Sequence, residues 1–223
     1  KMDFFLNYFR VPAVFIILSV LTFGCSTPEE KKINHFNKGL KYEDAQEYKA
    51  AIIEYRNAIQ IDPGFADARY RLGLVYLETQ QPALAFRELR QAATLDPKNA
   101  DAHIKTTEMY LLAGKPAEAR DTILNILNKD EKLPDAWALL ARAQLFAGNT
   151  NAAEQAILKA IELTPADAGY YVVQANILEA TDHEDEAGRM LKKALEISSQ
   201  PFIFKELAEF HLRRGENELA EKI

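Results

Sequence analysis

Hydrophobic positions along this chain do not alternate with polar ones. Period-two runs of Val, Ile and Thr, the mark of an extended sheet, are missing, which leaves helix as the expected element. The pattern repeats at long range instead: similar segments begin at Lys32, Ala66, Ala100, Pro134, Ala168 and Pro201, 34 residues apart except for a last step of 33. The twentieth position of each segment is Ala51, Ala85, Ala119, Ala153, Ala187 and Ala220, and the eighth is Gly39, Gly73, Thr107, Ala141, Ala175 and Ala208. Methyl-sized side chains let helix axes close to roughly 8–10 Å. Positions eight and twenty are therefore expected where the two helices of a unit cross. Position twenty-seven (Ala58, Ala92, Ile126, Ala160, Ala194) is expected against the next unit, and its one exception, Ile126, predicts a wider or rotated junction between the third and fourth units.

Punctuation falls at fixed places in the same frame. Pro63, Pro97 and Pro165 stop the second helix, because proline lacks an N–H and fixes φ. Gly114, Gly148 and Gly215 permit a left-handed cap after the first helix, and Pro82 and Pro116 open the second. Larger apolar columns, Tyr42, Tyr76 and Tyr110 at position eleven and Tyr55, Leu89, Ile123, Ile157 and Leu191 at position twenty-four, fill the space between hairpins. A two-helix unit of this length resembles the tetratricopeptide repeat over residues 32–222. The resemblance implies an all-α, right-handed superhelical solenoid of antiparallel helix pairs. The last unit stops at Ile223 inside its second helix, without the polar capping helix that solenoids need, which suggests a chain that continues.

Residues 1–24 follow another rule. Lys1 and Arg10 flank a charged start, and Val11 to Phe23 runs thirteen residues without a charge. A membrane-crossing helix needs about 20 apolar residues, whereas a secretory h-region needs about 7–15. Leu21-Thr22-Phe23-Gly24-Cys25 resembles the bacterial lipobox, which implies cleavage after Gly24, acylation of Cys25 and, with Ser26 next, residence at the outer membrane facing the periplasm. An uncleaved N-terminal anchor with a structural Cys is the other reading. Residues 25–31 are then the acylated Cys and a short polar tether, and residues 32–223 the solenoid.

The formal charge of −6, from 27 Lys and Arg against 33 Asp and Glu, offers no basic face for a phosphate backbone and argues against nucleic acid. Gly-rich phosphate loops, HExxH, metal-ligand spacings and a nucleophile elbow are all missing, so no enzyme, metal, cofactor or small-molecule substrate is expected. His35 and His103 occupy position four, a packing site taken by Trp137, Tyr171 and Phe204 in other units, and His211 stands where a Tyr would. His183 sits in an acidic turn read as solvated.

The repeat resemblance implies that the first helix of each unit lines a concave wall that binds protein or peptide segments. On this sequence that gives Phe36, Leu40, Tyr70, Leu74, Ile104, Glu108, Arg142, Phe146 and Asn176, among other residues such as Asp101, Asp135 and Val172. The Lys and Asn of a carboxylate clamp are replaced by Phe36 and Leu40 in the first unit and by Tyr70 and Leu74 in the second, which disfavours a cytoplasmic co-chaperone. Together with the lipobox, the run Ala51 to Pro63 resembles repeat lipoproteins of exopolysaccharide export and exosortase systems; pilus-assembly and outer-membrane-assembly lipoproteins carry similar repeats. The implied role is a membrane-anchored, non-catalytic scaffold for envelope assembly or export. The alternative is an accessory or regulatory subunit of an envelope enzyme such as a transferase or peptidase.

Overall fold

The computed structural model describes residues 27–223, so the leader and Cys25 lie outside the described residues. Within this span the chain forms helices and turns only: α1 (Pro28–Asp44), α2 (Tyr48–Ile61), α3 (Ala66–Glu78), α4 (Pro82–Leu95), α5 (Ala100–Leu112), α6 (Pro116–Leu127), α7 (Pro134–Phe146), α8 (Thr150–Leu163), α9 (Ala168–Glu179), α10 (Glu184–Ile197), α11 (Pro201–Arg213) and the short α12 (Asn217–Ala220). They pack as consecutive pairs, α1 with α2 through α9 with α10, and each pair leans on the next. None of these helices is long and apolar enough to cross a membrane.

Helix starts agree with the repeat frame except at the front. Residues 28–31, expected as tether, are the first turn of α1. Thr27 accepts from the Glu30 N–H at 3.1 Å while Glu30 reaches back to the Thr27 N–H at 2.9 Å, a reciprocal cap that satisfies two otherwise orphaned donors. Prolines open α1, α4, α6, α7 and α11, where the missing N–H costs no hydrogen bond. The intra-hairpin turns share one device. Gln46, Gln80, Gly114, Gly148, Asp182 and Gly215 all take positive φ, between 57° and 77°, so the left-handed cap read from three glycines extends to three residues that carry a Cβ.

The alanine column is buried as its periodicity requires: Ala51, Ala85, Ala119, Ala153 and Ala187 have no exposed surface. The close approach at position eight, however, is to position twenty-four. A Cβ on Gly39 would lie 2.5 Å from the Tyr55 ring, and one on Gly73 would lie 2.6 Å from Leu89 Cγ. The large residue of the second helix thus lies flat on the bare backbone of the first. Thr107 breaks this column and α5 and α6 are the least closely packed of the five full hairpins. The loosening expected at Ile126 is not found where it was placed. Ile126 is buried in one core with Leu127, Ala136 and Leu139, and α6 and α7 pack more closely than any other adjoining units. Isoleucine there fills the junction, and the least extensive packing falls inside the third hairpin, where the β-branched Thr107 is buried and α6 is shorter than its counterparts in the other full hairpins.

A polar contact recurs between units. Residues at position four donate to the carbonyl that ends the preceding unit: Arg69 Nε to Pro63 at 3.0 Å, Trp137 Nε1 to Glu131 at 2.8 Å, and Tyr171 Oη to Pro165 at 3.0 Å. His103 is too short to do so. Lys129 Nζ takes the Pro97 carbonyl at 2.9 Å instead, and both ring nitrogens of His103 are left without a partner.

Candidate functional site

The first helices of successive units, α5, α7, α9 and α11, pack directly side by side, whereas no pair of successive second helices approaches as closely. The shorter arc lies on the side of the first helices, so this face is the inner wall of the rod. Side chains along it enclose a cleft of about 590 Å³ that runs from α3 to α11.

Five of the nine residues expected on the wall line this cleft: Tyr70, Ile104, Glu108, Arg142 and Asn176, contributed by four successive units. Asp101, Asp135 and Val172 join them. The other four lie elsewhere. Phe36, Leu40 and Leu74 are half-buried against the core of the first two hairpins, with the Phe36 ring 5.0 Å from Phe65 and 5.8 Å from Tyr55 between centroids. Phe146 is 64% exposed at the end of α7, beyond the cleft. Leu139, Tyr170, Val173, Lys105, Phe202 and Glu206 also line the cleft and were missed. Most of them occupy positions three and six, which follow from the helical period once position two and position nine share a face.

The floor is apolar and the flanks are charged. Ile104, Leu139, Val172 and Val173 are its apolar members, with Phe202 exposed on α11 at the far end. Glu108 accepts from Lys105 Nζ at 2.9 Å. Tyr170 donates its hydroxyl to Asp135 Oδ1 at 2.6 Å across the junction between units, and burial followed by that carboxylate pushes the phenol well above its usual range. Burial likewise raises the Tyr70 phenol, with the charge of Asp101 adding to it. Arg142 is half-buried and is held by no carboxylate among the described residues. Both tyrosines stay protonated donors at any physiological pH. The wall therefore offers hydroxyls, carboxylates, one amide and one free guanidinium around an apolar floor, a set suited to gripping a polypeptide segment. Among the described residues no group of three or more His, Cys, Asp or Glu side chains is placed to hold a metal ion.

A second cleft, of about 520 Å³, opens on the opposite side between α2 and α4. Its base holds Glu88, a buried carboxylate that accepts from Arg69 at 2.7 Å and from Arg87 at 2.9 Å. The first of these pairs joins α3 to α4 within the second hairpin, and Arg56 at the rim is held by no carboxylate among the described residues.

Models of the tetratricopeptide repeat match residues 39–80, 77–139, 134–167 and 168–201. No curated protein matches the chain in sequence. Among solved structures, the MamA protein superposes with a TM-score of 0.67 at 23% identity, over 76% of this chain and 92% of that one. PilF of Pseudomonas aeruginosa gives 0.66 at 20% identity, over 86% and 88%. YrrB, described as a TPR protein with an unusual peptide-binding site, gives 0.65 at 19% identity, over 78% and 90%. At these identities the likeness is one of fold.

Proposed function

The chain belongs to the tetratricopeptide-repeat family, and from that premise we propose that it is a non-catalytic scaffold whose inner wall holds a segment of another protein. One observation carries this reading: Tyr70, Ile104, Glu108, Arg142 and Asn176, each from a known register of its unit, converge on one cleft with an apolar floor. The Lys1 to Cys25 pattern supports a lipid anchor, which makes the scaffold an envelope lipoprotein facing the periplasm and serving assembly or export. Two acyl chains hold a protein at a membrane stably where one does not, so the anchor fixes where the partner is gathered.

The groove is tested by placing a photo-crosslinking side chain at Ile104 and, separately, at exposed Leu158 on α8. A discrete adduct from position 104 and none from 158 supports the reading. Equal labelling from both positions, or none from 104, rejects it. The anchor is tested apart from the groove. Cys25→Ser is expected to release the protein from the membrane fraction, and unchanged sedimentation with membranes removes that part of the proposal.

A further inference from the structure

We infer that the segment held in the cleft is basic and apolar, an amphipathic stretch of another protein whose Lys or Arg side chains meet the flanks while its apolar side chains cover the floor. The inference rests on the groove reading above and adds the chemistry of the occupant. Four carboxylates line the cleft, Asp101, Glu108, Asp135 and Glu206, against two cations, Lys105 and Arg142. Glu108 is already neutralised by Lys105. The three that remain flank the apolar floor on different helices: Asp101 on α5, Asp135 on α7 and Glu206 on α11.

Asp101 and Asp135 stand in the first turns of their helices, where a carboxylate also complements the helix dipole. That dipole amounts to about half a charge at each N-terminus, less than the full charge of a carboxylate. Glu206 lies in the middle of α11 and has no such role. The Tyr170 hydroxyl occupies one oxygen of Asp135 and holds the carboxylate in place, leaving the other oxygen without a hydrogen bond among the described residues. An acidic segment would face these carboxylates with only Arg142 in compensation, and an anionic lipid surface would meet the same repulsion. Complementary charge of this kind acts mainly on the rate of encounter and on selection against wrong partners.

The experiment uses the full chain in detergent and three fluorescein-labelled peptides with leucine at the same helical spacing, the remaining positions being lysine, glutamine or glutamate. Tightest binding of the lysine peptide, weakening with added salt, is the expected result. Asp101→Asn together with Glu206→Gln is expected to lower its affinity about two- to fivefold for each exposed charge removed, and to leave the glutamine peptide unaffected. Equal binding of all three peptides, preference for the glutamate peptide, or a lysine preference that survives the double substitution overturns the inference while the groove stands. Failure of all three to bind, or binding indifferent to Ile104→Asp in a variant that keeps its helical circular dichroism, rejects the groove reading itself.

Discussion

The second hairpin (α3 and α4) and the third (α5 and α6) share their register and turn, with α6 two residues shorter than α4, yet they are held differently. In the second, bare Gly73 lets Leu89 rest on the backbone of α3, and Arg69 ties α3 to the Pro63 carbonyl of the preceding unit and to buried Glu88 of α4. In the third, Thr107 stands between the helices, its hydroxyl turned back to the His103 carbonyl, and the His103 ring nitrogens have no hydrogen-bond partner. The difference teaches that the repeat fixes the path of the chain, while two positions per unit decide how tightly each hairpin closes. The looser hairpin is also the one that places Ile104, Lys105 and Glu108 in the cleft. Local opening is easiest where packing is least complete, so the middle of the binding wall is softer than the hairpins on either side of it.

Truncation of the position-twenty-four anchors should separate the two hairpins most clearly. Leu89 and Ile123 are both fully buried. Leu89→Ala is expected near the upper end of the range of about 2–5 kcal/mol for such changes, and Ile123→Ala near the lower end, because a loosely packed site collapses more readily around the deletion. Urea denaturation of the two variants measures this, and equal losses would break the comparison. Next in size, Gly73→Ala should cost about 1–3 kcal/mol, since the new Cβ would overlap Leu89. Thr107→Ala in the third hairpin is expected to change stability by less than about 1 kcal/mol and to slow amide exchange in α5 as the helices close.

The turns offer a reciprocal exchange. Gln80 in the second hairpin and Gly114 in the third share a left-handed backbone, and a Cβ at Gly114 would meet nothing within 4 Å. Gln80→Gly should stabilise by about 0.5–1 kcal/mol and Gly114→Gln should destabilise by at least as much, through backbone conformation alone. Thermal midpoints of the two variants moving in the same direction would contradict this.

The smallest expected effect is one of pH. Burial, then the charge of Lys129 opposed by Asp96, holds the His103 imidazole below its usual value of 6.5. As pH falls through that value, the unfolded chain takes up a proton that the folded chain refuses. Stability is therefore complete above about 6.5, and declines toward acid until the folded imidazole titrates as well. His103→Phe should flatten the acid limb of a urea-midpoint profile between pH 7 and 5. An unchanged limb would assign the acid response to other groups.

Much of this organisation is legible in the residues themselves. Small columns at positions eight and twenty and the prolines between units mark every hairpin, because each acts through a local steric rule. Within the groove, Tyr70, Ile104, Glu108, Arg142 and Asn176 were within reach because they share one helical stripe, whereas Tyr170 and Val173, at positions three and six, lie beside that stripe and outside the positions that the family resemblance supplies. Phe36, Leu40 and Leu74 share the stripe but lie near the front of the rod, where aromatic packing with Tyr55 and Phe65 draws their surroundings closed. The contact from position four was hidden for another reason: its acceptor is a backbone carbonyl, which has no letter in the sequence. Thr27 and Glu30 could have shown the true start of α1, since Thr-x-x-Glu before a helix is a capping signal. The repeat frame, counted from Lys32, concealed it.

The wall takes its lining from hairpin after hairpin, and no single unit holds enough of it to grip anything alone. A ligand laid along it would act as a splint, since opening any one unit while the ligand is bound would forfeit contacts made by its neighbours. Occupancy and the stiffness of the rod are thereby linked, and a long ligand would protect the soft third hairpin far better than a short one of equal local chemistry.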